Sequence, residues 1–136
     1  MIKVKICGIT NLNDALHAAE LGADALGFVF VEDSPRFIKP IDASKIICRL
    51  PPFLSKVSLF VNPSIDEVKQ VINMCHFDLI QFHGDESPSF CEQFNLPYIK
   101  AISVENELSL VEYEKEYESA SAFLLDGFSE DARGGT

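Results

Sequence analysis

Short runs rich in β-branched and aromatic residues alternate with amphipathic stretches along the whole chain, and this alternation restricts the fold more than any other feature. The first run, 3–7, precedes Asn11, a candidate N-cap with Asp14 three residues on, and then Leu12, Ala15, Leu16 and Ala19 at helical spacing, closed by Gly22. Ala25 to Val31 reads as a buried second strand, and 42–50 as a short helix ended by Pro51-Pro52. A third strand is predicted over 57–61. Ser64-Ile65-Asp66-Glu67 has the form of a capping box, leading into Val68, Val71 and Ile72 on one face. A fourth strand follows over 79–82, and Ser87-Pro88 opens a helix carrying Phe90, Cys91 and Phe94. A fifth strand over 98–104, an acidic helix over 106–118 and a sixth strand over 122–125 complete six strands and five helices.

Such alternation means parallel pairing, because each return crossover takes up the intervening helix. A doubly wound open sheet and a barrel both satisfy it. Cys7, His83 and Asp126 all fall at or just beyond the carboxyl ends of their runs, the side where parallel α/β folds of either kind bind ligands. Period-two alternation puts Lys3, Lys5 and Cys7 on one face of the first run, Leu79, Gln81 and His83 on one face of the fourth, and Leu124 and Asp126 on one face of the sixth. Two lysines under a helical layer are hard to accommodate, whereas a barrel interior near its mouth tolerates them better.

Composition narrows the partners. The 136 residues are 47% hydrophobic, with a net charge of -10 that resides almost wholly beyond residue 60. Nucleic acid is therefore an unsuitable partner. Glu105, Glu107, Glu112, Glu114, Glu116 and Glu118 read as a solvated helix face. The longest apolar run, Ala25 to Val31, is far short of the roughly 20 residues of a membrane span, and the first residues lack the apolar core of a signal peptide, so a cytoplasmic location is expected. Cys7, Cys48, Cys75 and Cys91 are irregularly spaced and read as free thiols. Cys75, His76, His83 and Cys91 match no compact metal-ligand pattern, so no metal site is expected.

Lys5-Ile6-Cys7-Gly8-Ile9-Thr10, Gly27-Phe28-Val29-Phe30, Ser34-Pro35-Arg36, Phe60-Val61-Asn62, Gln81-Phe82-His83-Gly84, Leu124-Leu125-Asp126 and the closing Gly134-Gly135-Thr136 together resemble the phosphoribosylanthranilate isomerase family of tryptophan biosynthesis. The resemblance runs in order over essentially the whole chain. It implies a (β/α)8 TIM barrel and an Amadori rearrangement of an aminoaldose, N-(5'-phosphoribosyl)anthranilate, to an aminoketose, with no cofactor and a small phosphorylated substrate as partner. An acid must protonate the furanose ring oxygen and a base must remove the proton at C2', so two titratable groups from different strands are needed.

The resemblance implies that Cys7 is the base and Asp126 the acid, and that Arg36 holds the anthranilate carboxylate, a role suited to its planar fork. Lys5 is a candidate source of positive charge for the Cys7 thiol, whose ordinary pKa of about 8.5 leaves little thiolate at neutral pH. Asp126 needs its carboxyl pKa raised, by burial or by a nearby substrate phosphate. Gln81 and His83 read equally as orienting groups, as substrate contacts or as satisfied polar residues of a barrel rim. The resemblance makes Gly134 and Gly135 the start of a phosphate-binding loop.

Length qualifies the comparison. Six strand-helix units occupy the 136 residues, and eight would need roughly 180 to 200, so the chain reads as residues 1–136 of a single barrel domain incomplete at strands 7 and 8. Such a piece has exposed parallel edges that favour self-association. It is expected to have little isomerase activity by itself, since the resemblance puts the phosphate-binding loops after those two strands. An inert α/β fragment and a doubly wound binding module are the competing readings.

Overall fold

The computed structural model describes residues 1–103 and 107–126. Six strands, β1 (Lys5–Cys7), β2 (Ala25–Val29), β3 (Ser55–Phe60), β4 (Leu79–Phe82), β5 (Tyr98–Ser103) and β6 (Ala122–Asp126), form one parallel sheet in the order of the sequence. Between them lie α1 (Leu12–Glu20), α2 (Pro40–Ile47), α3 (Ile65–Met74), α4 (Pro88–Cys91) with a 3-10 turn over Glu92–Phe94, and α5 (Glu107–Glu116). A doubly wound sheet reverses its strand order at a switch point and places helices on both faces. Strictly sequential order leaves no such reversal, so crossovers of one hand carry every helix to one side. The architecture is a half-barrel, and the doubly wound reading is overturned.

Packing agrees with this assignment. Leu26, Phe28, Phe60, Ile80 and Phe82 project from the strands into a core shared with Ala15, Ala43, Ile46, Ile47, Val68 and Val71 of the helices. Phe82 is its hub, with ring centroids of Phe60, Phe90, Phe94 and Tyr98 all within 6.3 Å. The opposite, inner face carries Val29, Val57 and Leu59, which are also buried. These side chains are covered because the sheet curls. Lys5 of β1 donates a hydrogen bond to Gln81 Oε1 of β4, three strands away. On a flat sheet three strand spacings amount to about 14 Å before any stagger, beyond the reach of the two side chains.

Local chemistry accounts for most boundaries. The Asn11 side chain accepts from Asp14 N–H at 2.8 Å, and Gly22, at φ +94°, turns the chain out of α1. Ser64 and Glu67 make both halves of the capping box. Several elements differ from expectation, β3 among them, which begins at Ser55 and not at 57. β1 begins at Lys5, not Lys3: Val4 N–H is held by the Asp24 carboxylate and Lys3 pairs with Asp24 at 3.8 Å, so Lys3 is drawn off the inner face. β2 ends at Val29, where the chain turns and Phe37 bridges back to Val29. α2 runs from Pro40 to Ile47, two residues earlier than predicted, because Pro40 supplies a first helical residue that needs no N–H partner.

Val4 and Ile6, whose side chains alternate with those of Lys5 and Cys7, are 46% and 42% exposed. They border a groove of about 520 Å³ with Ala18, Leu21 and Ala23 of the α1 side. At the other edge Leu125 is 59% exposed. No described helix is long and apolar enough to cross a membrane.

If Phe82 is the hub of the core, Phe82→Ala should lower the unfolding free energy by about 3–5 kcal/mol in urea titrations, whereas Phe53→Ala, at a fully exposed ring, should change it by about 0.5 kcal/mol or less.

Candidate active site

The inner face of the half-barrel gathers polar side chains at the carboxyl ends of its strands. Cys7 ends β1 and pairs in register with Gly27 of β2. A Cβ at Gly27 would lie 2.9 Å from Cys7 Sγ, so glycine there makes the space that the thiol occupies. Gly8 follows at φ +91°, and a Cβ on it would overlap the Arg36 side chain. The two glycines of the Lys5-to-Thr10 and Gly27-to-Phe30 motifs thus seat the thiol on one side and the guanidinium on the other. Arg36 reaches this position because the loop after β2 doubles back: its N–H is held by Ser34 Oγ at 3.1 Å, and its Nη1 donates to the Cys7 carbonyl at 3.2 Å.

Lys5 lies two residues before Cys7 on the same face. Burial pushes its ammonium pKa below the usual lysine value, and attraction to the Cys7 thiolate opposes that change. From Gln81 a line of hydrogen bonds continues across the trough. Gln81 Nε2 is 3.2 Å from His83 Nδ1, and His83 Nε2 is 3.3 Å from Asp126 Oδ2. Lys5, Gln81, His83 and Asp126, from β1, β4, the end of β4 and β6, therefore form one connected set beside Cys7 and Arg36. All six side chains singled out in the sequence meet in one place. Of the two means offered for raising the Asp126 carboxyl, burial is not found, since its side chain is 46% exposed and contacts His83 at the rim. Gly134 and Gly135 lie outside the described residues.

A second cluster behind the site was not foreseen. The Glu86 carboxylate and Lys100 ammonium are 2.7 Å apart, each side chain 2% exposed. Glu86 also accepts from Gly84 N–H at 3.0 Å and Asn62 N–H at 2.8 Å, while Lys100 donates to the Gly84 carbonyl at 2.7 Å and sits 5.4 Å from the Tyr117 ring centroid. Tyr117 Oη donates to the Glu86 carbonyl, and burial raises the Tyr117 pKa above the ordinary tyrosine value. Asn62, at φ 48°, accepts from Asp85 N–H at 2.7 Å and leaves no room for a Cβ on Gly84. This network ties the loop after β3 to the loop after β4 and so fixes the backbone from which His83 projects. A lysine midway along a strand carries no spacing signal; only the register Phe82↔Lys100, on the helix-covered face, marks it as buried.

The remaining thiols stay apart from the site. Cys75 and Cys91 are buried, and burial pushes their pKa values up to about 11 and about 12; Cys48 is exposed on α2's end. Among the described residues no group of three His, Cys, Asp or Glu side chains is arranged to hold a metal ion. Glu112, Glu114, Glu116 and Glu118 are solvent-exposed, as a hydrated helix face requires.

Comparison with known proteins adds a family to this geometry. Residues 4–136 match the model of N-(5'-phosphoribosyl)anthranilate (PRA) isomerase. The chain is 49% identical over 135 residues to the N-(5'-phosphoribosyl)anthranilate isomerase of Nitrosospira multiformis, covering 99% of itself and 65% of that relative. It is 53% identical over 136 residues to that of Geobacter metallireducens, covering 66% of it. The chain thus spans about 65% of the length of the curated relatives it matches. Among solved structures, phosphoribosyl anthranilate isomerase from Thermotoga maritima superposes with a TM-score of 0.89 at 40% identity, over 97% of this chain and 64% of that one. A phosphoribosyl anthranilate isomerase in complex with reduced 1-(o-carboxyphenylamino)-1-deoxyribulose 5-phosphate gives 0.87 at 41% identity, over 95% and 66%.

Two outcomes test this description of the site. An aromatic disulfide reagent at pH 8 should titrate two thiols in the native protein, Cys7 and Cys48, with Cys75 and Cys91 reacting only after denaturation; four reactive native thiols would contradict it. Lys100→Met should cost about 3–5 kcal/mol by stranding the Glu86 carboxylate, and the double variant Lys100→Met/Glu86→Gln should recover most of that loss in urea titrations.

Proposed function

The chain belongs to the N-(5'-phosphoribosyl)anthranilate isomerase family, and from that premise we propose that its trough is the proton-transfer half of an aldose-ketose isomerase site in tryptophan biosynthesis. The substrate is N-(5'-phosphoribosyl)anthranilate and the product 1-(2-carboxyphenylamino)-1-deoxyribulose 5-phosphate. The observation that carries this reading is the placement of a half-buried thiol, Cys7, and a rim carboxyl, Asp126, on one inner face, joined by the Lys5-Gln81-His83 line.

Asp126 gives its proton to the furanose ring oxygen, and the ring opens to a Schiff base. Cys7, as thiolate, removes the proton at C2' and leaves an enolamine, which tautomerises to the ketose. Lys5, two residues before Cys7 on the same strand face, places a positive charge on the thiol's side of the trough. Arg36 offers its fork to the anthranilate carboxylate from above Gly8. Half-exposure suits Asp126 to a proton that must be renewed between turnovers. No cofactor is needed, and a cytoplasmic location goes with a small soluble substrate.

The fold under this reading is a (β/α)8 barrel of which the chain supplies six units, with Gly134 and Gly135 opening the phosphate loop. The exposed Val4, Ile6 and Leu125 at the two sheet edges then mark the surfaces that two further units cover, and in their absence they favour self-association.

Purified residues 1–136 should show little turnover in a fluorescence assay of substrate loss, whereas a chimaera continuing from residue 136 into the last third of the Geobacter metallireducens relative should be active. In that chimaera Cys7→Ala and Asp126→Asn should each lower kcat by about 100-fold or more. Near-normal turnover in either variant would overturn the assigned roles, and full turnover by residues 1–136 alone would overturn the account of the phosphate site.

A further inference from the structure

Hydrogen-bond chemistry along the trough determines more than position. Lysine ammonium donates and cannot accept, so the Gln81 atom facing Lys5 Nζ is its carboxamide oxygen. Gln81 is 1% exposed and its amide is thereby oriented, with the NH2 group turned to His83 at 3.2 Å. That NH2 also only donates. Nδ1 of His83 must then present a lone pair, which puts the ring proton of the neutral imidazole on Nε2, 3.3 Å from Asp126 Oδ2.

We infer that Lys5, acting through Gln81, fixes His83 as the Nε2–H tautomer, and that His83 is a positioning residue which ties one oxygen of Asp126 and leaves the reacting proton to the other. The tautomer follows from the geometry alone; the consequence for the reacting proton rests on the acid role proposed above for Asp126. The arrangement makes the polarity of the whole line depend on β1. Donors point in one direction from Lys5 to Asp126, so the residue beside the thiol sets the orientation of the group beside the carboxyl. Replacing the Gln81 amide by a carboxylate reverses the second link: both oxygens accept, Lys5 is still satisfied, and His83 must now donate from Nδ1.

Long-range 1H–15N spectra of the 136-residue protein labelled at its histidines, recorded above the titration of imidazole, read the tautomer directly. His83 is assigned by its loss in His83→Asn, with His17 and His76 as internal references. The expected result is a proton on Nε2 and a bare Nδ1 in the wild type, a proton gained on Nδ1 in Gln81→Glu, where the ring faces a carboxylate on each side, and a partly protonated Nδ1 in Lys5→Met, where the amide is free to turn. A wild-type His83 that is Nδ1–H or mixed overturns the inference with no variant needed. So does a Gln81→Glu protein with unchanged His17 and His76 signals and a His83 Nδ1 that is still bare. Because these spectra need no substrate, a correct tautomer in a chain whose chimaera is inactive would remove the isomerase reading and leave this one standing.

Discussion

The hydrogen bond from Lys5 to Gln81 spans β1 to β4 and can form only if the sheet is rolled, and the rest of the site depends on that curvature. Rolling follows from the connectivity. Parallel strands laid down in order, each returned by a helix on one side, leave the inner face with no helical layer to bury it. Curvature closes that face on itself, covering Val29, Val57 and Leu59 while bringing polar residues of distant strands together at the rim. One geometric solution thus serves both packing and chemistry.

Two polar systems divide the work on either side of the sheet. Inside, Lys5, Gln81, His83 and Asp126 form an open line ending at a half-exposed carboxyl group at the rim. Outside, Glu86, Lys100, Gly84, Asn62 and Tyr117 form a closed network in which the side-chain charges are matched and dry. Its role is rigidity: it locks the loops after β3 and β4, and His83 projects from the second of them. A buried ion pair is a poor source of net stability compared with apolar packing of the same volume, and its better-attested use is to specify one arrangement.

Much of this was legible in the residues. Caps at Asn11 and Ser64 work through neighbours three positions away, so sequence spacing identified them, and Pro88 marked the helix that Ser87 caps. Lys5, Cys7, Gln81, His83 and Asp126 stood out because polar residues on one face of a buried strand need a reason. Arg36 did not: a loop arginine is ordinary, only the family resemblance singles it out, and its place over Gly8 is set by the path of the loop after β2. The alternation of strands and helices left barrel and doubly wound sheet equal, since it says nothing of strand order, and only the two lysines on one face of the first run favoured the barrel. The Glu86-Lys100 pair was hidden for a related reason, because its partners are set by register and loop conformation. Val4 and Ile6 are apolar yet exposed, since an apolar face is buried only where an element lies over it.

The central claim, that the six strands roll far enough to join β1 to β4 across the inner face, is most directly tested by through-space proton contacts in solution. The account predicts a nuclear Overhauser cross-peak between the Lys5 ε-methylene and the Gln81 carboxamide protons, alongside one between that carboxamide and the His83 ring. A Gln81-His83 cross-peak with none from Lys5, in a protein whose β1–β2 pairing is intact, would mean an open, flatter sheet and would contradict the account.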